Sequence, residues 1–177
     1  MNTRVNTLVV FAHGKESGPW GTKFRFLAEL AQLFGAEVLS PDYADCSGPE
    51  ERVVRLLAVT MPSHERLILV GSSMGAYVST IASIHLKPVG LFLLAPAFYL
   101  PGYQEQIPLP CAQHVSIVHG WQDTVIDPEH SVRFARLHNC DLHLMPGDHR
   151  LKEALPAIGA IFADFLGRQL GLECADY

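Results

Sequence analysis

Six short apolar runs, many of them rich in β-branched residues, alternate with longer segments of helical period. Several runs are apolar at nearly every position, which is typical of strands covered on both faces. Such alternation demands a mostly parallel sheet with helices on both sides, because a helix between two successive strands provides the crossover that parallel neighbours need. We therefore predict an α/β fold, a three-layer αβα sandwich around a mostly parallel six-stranded sheet. The predicted strands are 7–12, 36–40, 66–70, 89–95, 115–119 and 141–145, and the predicted helices are 20–34, 49–60, 74–87, 128–138 and 151–170.

Length and composition fit one globular domain over residues 1–177, since domains of this size bury a substantial core. Hydrophobic residues make up 49% of the chain, charged residues make up 18%, and the net charge is −5. With no basic cluster longer than two residues, this charge disfavours nucleic acid or an anionic membrane as the main partner. We expect a small-molecule partner, and nothing in the sequence indicates a homo-oligomer.

The beginning of the chain and its cysteines bear on its compartment. The apolar run at 7–12 is too short for a signal segment or a spanning helix, so we predict a soluble protein without membrane insertion. The four cysteines are scattered and form no C-x-x-C pattern. Free or buried thiols in a reducing compartment are favoured over a disulfide framework or a zinc site, and we expect a cytoplasmic protein.

The pentapeptide 71–75, GSSMG, joins a predicted strand to a predicted helix and has the pattern G-x-S-x-G. In a nucleophile elbow the central serine occupies a sharp turn at positive φ, and the residues two positions before and after it must be small. Such a turn presents the hydroxyl of Ser73 and the N–H of Met74 to the same cleft. A glycine-rich turn whose serines only cap the helix is the alternative, and Ser72 is assigned such a cap or packing role.

An imidazole must take the proton of the serine hydroxyl, and nine histidines are available. His149 follows the last predicted strand on a loop that enters the final helix, so it can bend over the sheet edge towards Ser73. His119 and His143 lie at the end of a strand and inside one, and we assign them structural roles. We therefore predict His149 as the base.

The acid that orients this base should follow the fifth strand, because the order along the chain in this arrangement is serine, acid, histidine. Asp123 lies on that loop. Asp127 precedes Pro128 and is better explained as a helix N-cap, while Asp148 adjoins His149 and is poorly placed to orient it. Asp123 is preferred, and Asp127 stays open as the alternative acid.

A second oxyanion donor should come from the loop after the first strand, which begins His13-Gly14. The N–H of Lys15 is the predicted donor and that of Glu16 is the fallback, with His13 bracing the loop. The alternative is a coincidental glycine-rich turn. No P-loop or dinucleotide fingerprint is present in the sequence.

A substrate pocket is predicted on the loops at the same end of the sheet, which include the long irregular segment 96–113. Several aromatic residues fall there, although at least half of them are expected to pack in the core instead. These candidates are Trp20, Tyr43, Phe98, Tyr99 and Trp121. Lys15 and Arg150 would suit an anionic part of a substrate, but one or two charges near a cleft are commonly just solvated.

These motifs together resemble the α/β-hydrolase superfamily over roughly residues 8–166, and within it the compact YqiA-like group of bacterial esterases. The motifs are H13-G14, G71-S72-S73-M74-G75, H119-G120-W121-Q122-D123 and G147-D148-H149. The resemblance implies a serine esterase or thioesterase that needs no metal or organic cofactor. It further implies a catalytic triad of Ser73, Asp123 and His149, with an oxyanion hole formed by the N–H groups of Met74 and Lys15.

The sequence departs from the wider superfamily in three places. We expect the chain to enter the sheet directly at the strand before His13, without the first two antiparallel strands. The cap domain is expected to be reduced to 96–113, and Lys15-Glu16 replaces the apolar residues common after His-Gly. These departures leave the catalytic prediction intact and put substrate preference in doubt. Two alternatives share the fold: a binding module without turnover, and an acyltransferase that passes the same acyl group to an alcohol or amine.

Overall fold

The computed structural model describes residues 5–171. Six strands and five helices alternate along these residues almost without interruption. The strands are β1 (Thr7–Ala12), β2 (Glu37–Leu39), β3 (Arg66–Ser72), β4 (Gly90–Leu94), β5 (His114–Gly120) and β6 (Asp141–Met145). The helices are α1 (Thr22–Leu33), α2 (Pro49–Ala58), α3 (Met74–Leu86), α4 (Pro128–His138) and α5 (Leu155–Leu170).

All six strands form one parallel sheet in the order β2-β1-β3-β4-β5-β6. The chain builds outward from β1 to β2, returns to the other side of β1, and then continues outward from β3 to β6. The strand order therefore reverses between β1 and β3, where α1 and α3 leave on opposite faces. Open parallel sheets bind ligands at the carboxyl ends of the strands beside such a reversal, because the diverging loops leave a crevice.

The sheet separates two apolar layers, which confirms the predicted three-layer arrangement. One layer contains α2, α3 and α4, with Leu56, Tyr77 and Phe134 fully buried in it. The other contains α1 and α5, with Leu27 and Phe162 fully buried. The central strands are covered on both faces, and this explains why they are apolar at nearly every position.

The last helix begins at Leu155, four residues later than the sequence predicts. The carboxylate of Asp148 accepts hydrogen bonds from the backbone N–H groups of Arg150 (2.9 Å) and Leu151 (3.1 Å). Such side-chain bonds compete with helical hydrogen bonding and hold the backbone in a turn. Leu151 has φ of 57° and is fully buried, so the turn is fixed by packing as well.

Helix α3 lies unusually close to β1 at Gly75. A Cβ atom at this glycine would be 1.8 Å from the carbonyl oxygen of Ala12 and 2.8 Å from that of His13. Real Cβ atoms do not approach backbone oxygen so closely, so a larger residue would push α3 away from the sheet. The approach places the first turn of α3 beside the carboxyl end of β1.

We predict that Gly75→Ala lowers the free energy of unfolding by about 3 kcal/mol or more, because neither backbone can give way without disturbing the sheet. Thermal or urea unfolding would measure this loss. Gly18→Ala is the matched control, since a Cβ there meets nothing within 4 Å. Equal stability of the two variants would contradict the close packing of α3 on β1.

Candidate active site

Ser73 lies on the sharp turn between β3 and α3, with φ of 55° and ψ of −119°. This conformation is strained for a residue with a side chain, and the surrounding backbone holds it in place. The N–H of Ser73 donates to the carbonyl of Leu94 (2.9 Å), and its own carbonyl accepts from the N–H of Ala97 (3.1 Å). A Cβ at Gly71 would be 2.4 Å from the Cα of Ala76, so only glycine permits this turn.

His149 reaches Ser73 from the loop after β6. Its Nε2 is 3.0 Å from the Oγ of Ser73, and its Nδ1 is 2.6 Å from Oδ2 of Asp123. With Nδ1–H donating to the carboxylate, Nε2 is left to accept the hydroxyl proton. The structure thus brings together the serine, base and acid predicted from three separate loops.

Asp123 is buried, and four donors surround its carboxylate. Oδ1 accepts from the N–H groups of Val125 (2.8 Å) and Ile126 (2.9 Å), while Oδ2 accepts from His149. Burial raises the pKa of Asp123, but the hydrogen bonds from Ile126, His149 and Val125 outweigh it and lower the pKa below its usual range. The carboxylate is therefore ionised at neutral pH and can stabilise an imidazolium at position 149.

The fourth donor to Asp123 is His119, which is fully buried at the end of β5. Its Nε2 is 2.9 Å from Oδ2 of Asp123 and 3.2 Å from the carbonyl of Ile126. Both neighbours are acceptors, so Nε2 carries the proton and Nδ1 accepts from the hydroxyl of Ser131 at 2.7 Å. Burial lowers the pKa of His119 despite the opposing bond to Asp123, which keeps the ring neutral.

From the sequence, His119 was predicted to have only a general structural role, and its contact with Asp123 was not predicted. The four-residue spacing between His119 and Asp123 across a strand end was the available signal. Among the other aspartates near the site, Asp127 accepts from the N–H of Glu129 (2.9 Å) as an N-cap of α4. Asp148 holds the turn after His149.

The loop after β1 is braced from beneath by two buried side chains. Nδ1 of His13 donates to the carbonyl of Gly14 (2.8 Å), and its Nε2 accepts from the N–H of Tyr43 (3.1 Å). The guanidinium of Arg52, on α2, donates to the carbonyls of His13 (3.1 Å) and Gly14 (3.2 Å). The bracing role of His13 was predicted from the sequence, whereas that of Arg52 was not, because the contact of Arg52 depends on how α2 packs.

The braced loop and the elbow face a cleft of about 760 Å³, a size typical of small-molecule sites. Lys15 and Met74 both line it, together with Ser73 and His149. Met74 is the first residue of α3, so its N–H has no carbonyl partner within the helix. Ser72 also lines the cleft, although the sequence assigned it to capping or packing.

The aromatic residues predicted for the pocket are not among those that line the cleft. Tyr43 and Phe98 are fully buried in the core, and Tyr99 packs against the guanidinium of Arg133. Trp20 and Trp121 are 38% and 53% exposed outside the cleft. The apolar lining comes instead from aliphatic side chains, one phenylalanine and one tyrosine, chiefly Phe24, Leu100, Tyr103, Val125, Ile126 and Leu155.

Between residues 5 and 171, no group of three or more histidine, cysteine, aspartate or glutamate side chains is arranged to hold a metal ion. No helix in that range is both long enough and apolar enough to cross a membrane.

Comparison with known proteins gives a match to the alpha/beta hydrolase family over residues 9–171. A solved structure of an alpha/beta superfamily protein from Xanthomonas campestris pv. campestris is 29% identical, with a TM-score of 0.81, and the match covers 93% of this chain and 98% of that one. Est1E from Butyrivibrio proteoclasticus is 18% identical with a TM-score of 0.83, covering 96% and 90% of the two chains.

A third solved structure, an α/β serine hydrolase without a lid from Xanthomonas campestris, is 17% identical with a TM-score of 0.73. That match covers 97% of this chain and 85% of the other. At 17–18% identity, the second and third likenesses concern the fold alone. The comparison with curated proteins gives no match.

Proposed function

We propose that this chain, which belongs to the alpha/beta hydrolase family, hydrolyses carboxylic esters through an acyl group carried on Ser73. One observation carries the proposal: a continuous hydrogen-bonded chain runs from Ser73 through His149 to the buried carboxylate of Asp123. Serine hydroxyls become nucleophiles when an oriented imidazole accepts their proton, and this geometry meets that requirement.

In the first half of the reaction, Nε2 of His149 takes the hydroxyl proton as Oγ of Ser73 attacks the ester carbonyl carbon. Asp123 stabilises the imidazolium that forms. The carbonyl oxygen becomes an oxyanion, for which the N–H groups of Met74 and Lys15 are the proposed donors. His149 then returns the proton to the leaving alcohol as the carbon–oxygen bond breaks, and an acyl ester remains on Ser73.

In the second half, water occupies the place of the alcohol. His149 accepts a proton from this water as its oxygen attacks the acyl carbon, and the oxyanion forms again at the same donors. Collapse of the intermediate expels Oγ of Ser73, which regains its proton from His149. The products are a carboxylic acid and the free enzyme. Thioesters could follow the same route, with a thiol as the leaving group.

The segment 96–113 limits the substrate, because it forms one rim of the cleft and is anchored on α3. The N–H of Glu105 donates to the hydroxyl of Tyr77 (3.1 Å), and the N–H of Cys111 donates to the hydroxyl of Ser83 (2.8 Å). Proline further restricts the backbone of this segment, at positions 96, 101, 108 and 110. An anchored rim of this kind leaves the cleft open to water, which favours small or medium soluble esters.

We predict that Ser73→Ala abolishes ester hydrolysis and leaves the unfolding temperature nearly unchanged. Loss of the nucleophile from a comparable triad in another serine enzyme costs about a million-fold in kcat. Ser72→Ala is the neighbouring control and should retain substantial activity. Nitrophenyl ester hydrolysis and labelling by a fluorophosphonate would measure both. An active, labelled Ser73→Ala protein would rule out the proposed nucleophile.

We predict that Asp123→Asn lowers kcat far more than Asp127→Asn does. An amide at 123 would hold the imidazole of His149 in the wrong tautomer, an effect of about ten-thousand-fold where it was isolated in another serine enzyme. At 127 the change affects only a helix cap, for which Asn is nearly as good as Asp. Comparable losses in the two variants would refute the assignment of the acid.

We predict that rates on a series of nitrophenyl esters peak at short acyl chains and show no increase at the micelle threshold. Because the anchored rim cannot open as a lid, we expect no activation of the enzyme at a lipid–water interface. Steady-state kinetics across chain lengths, below and above the critical micelle concentration, would test this. A preference for long chains, or interfacial activation, would mean that 96–113 moves.

A further inference from the structure

Four cations line the same cleft as Ser73, although the chain as a whole has an acidic balance of 18 acidic to 13 basic residues. They are Lys15, Lys23, Arg150 and Lys152. Only two carboxylates, those of Glu16 and Asp148, share the lining. Among residues 5–171, none of the four cations lies within ion-pair distance of a carboxylate. The wall of the cleft therefore has more cations than carboxylates, and no direct ion pair neutralises the four cations.

Asp148 does little to neutralise this wall by direct contact. One oxygen of its carboxylate accepts the N–H groups of Arg150 and Leu151, and this holds the turn after His149. The carboxylate of Asp123 is enclosed by its own four donors. The carboxylates of Asp148 and Asp123 therefore act on the cations of the wall only through longer-range electrostatic attraction.

Lys23 differs from the other three cations because it is half-buried rather than exposed. It lies in the first turn of α1, and its ammonium group has one hydrogen bond, a long one of 3.4 Å to the carbonyl of Arg150. Burial lowers the pKa of Lys23 to about 8, against the opposing influence of Asp148 and Asp123. A cation withdrawn from water without a direct anionic partner is unfavourable, and such groups concentrate at functional sites.

A hydrogen bond also links Lys23 to the turn that carries the proposed base, His149. Its bond goes to the residue that directly follows His149, so its ammonium lies beside the turn that carries the proposed base. Arg150 adds a guanidinium at the same turn, and this group matches the planar geometry of a carboxylate. An anion bound there would lie in the cleft into which the ester must enter.

We propose that the substrate of this cleft is an ester that also carries an ionised carboxylate, which binds to the cationic wall with Lys23 as its main contact. This inference rests on the proposed ester hydrolysis at Ser73 and names its substrate class. A carboxylate suits the ammonium of Lys23 and the planar guanidinium of Arg150, which line the same cleft.

The experiment compares esters that differ only in one charge. Mono-4-nitrophenyl adipate carries a carboxylate on the acyl side, and its methyl ester is the neutral match. A second pair, 4-butyryloxybenzoate and its methyl ester, carries the charge on the leaving alcohol. We expect kcat/KM of the wild-type protein to be about tenfold higher for the charged member of one pair, the size of a charge-assisted hydrogen bond. Added salt should reduce the preference.

Two lysine variants identify the group responsible. Lys23→Met should reduce the charged-to-neutral ratio of kcat/KM about tenfold, mainly through KM for the charged ester. Lys87→Met is the matched control, because Lys87 lies at the far end of α3 and does not line the cleft. It should leave the ratio and both rates as they are in the wild type.

The outcomes separate this inference from the proposed function. Hydrolysis of the neutral esters that depends on Ser73, with no preference for either charged member, would overturn the inference and leave the function standing. Equal losses on charged and neutral esters in Lys23→Met would also overturn it, since Lys23 would then only support the turn after His149. Absence of hydrolysis on all four esters would overturn both.

Discussion

The close packing of α3 against β1 and β3 is the constraint on which the site depends. Gly75 lets the first turn of α3 lie against the carbonyls that end β1, and Gly71 lets the chain reverse within two residues. The backbone at Ser73 is left with positive φ, held by its bonds to Leu94 and Ala97. The strain at Ser73 is thus maintained by the sheet, and it directs the hydroxyl into the crevice between the loops.

The second organising element is the carboxylate of Asp123. It is buried, accepts hydrogen bonds from two backbone N–H groups, and shares one oxygen between His119 and His149. The members of this group fix one another: the Asp123 carboxylate and the carbonyl of Ile126 set the tautomer of His119, and His119 helps to hold the carboxylate beneath His149. A fully satisfied buried network of this kind gives the imidazole one orientation, which a proton transfer from Ser73 would require.

Sequence alone was sufficient for the fold and for the three residues of the hydrogen-bonded chain. Apolar runs predicted the strands because burial on both faces leaves no room for polar alternation, and Pro128 marked the beginning of α4. Residues 151–154, which follow the turn that carries His149, were wrongly predicted as helix, because the competition between the Asp148 carboxylate and helical hydrogen bonds is invisible to periodicity. The aromatic residues predicted for the pocket do not line the cleft, for a related reason: the position of a residue on a loop does not determine the direction in which its side chain packs.

What the sequence determined by itself is local: strand and helix periods, the glycines of the elbow, and the order of serine, acid and histidine. Only the tertiary structure decided what lies next to what. Arg52 braces the loop after β1 from a different helix, His119 shares the carboxylate of Asp123, and Lys23 comes beside Arg150 across 127 positions. Contacts of this kind depend on helix docking, which no local pattern encodes, because the free energy that selects them comes from burial in the assembled layers.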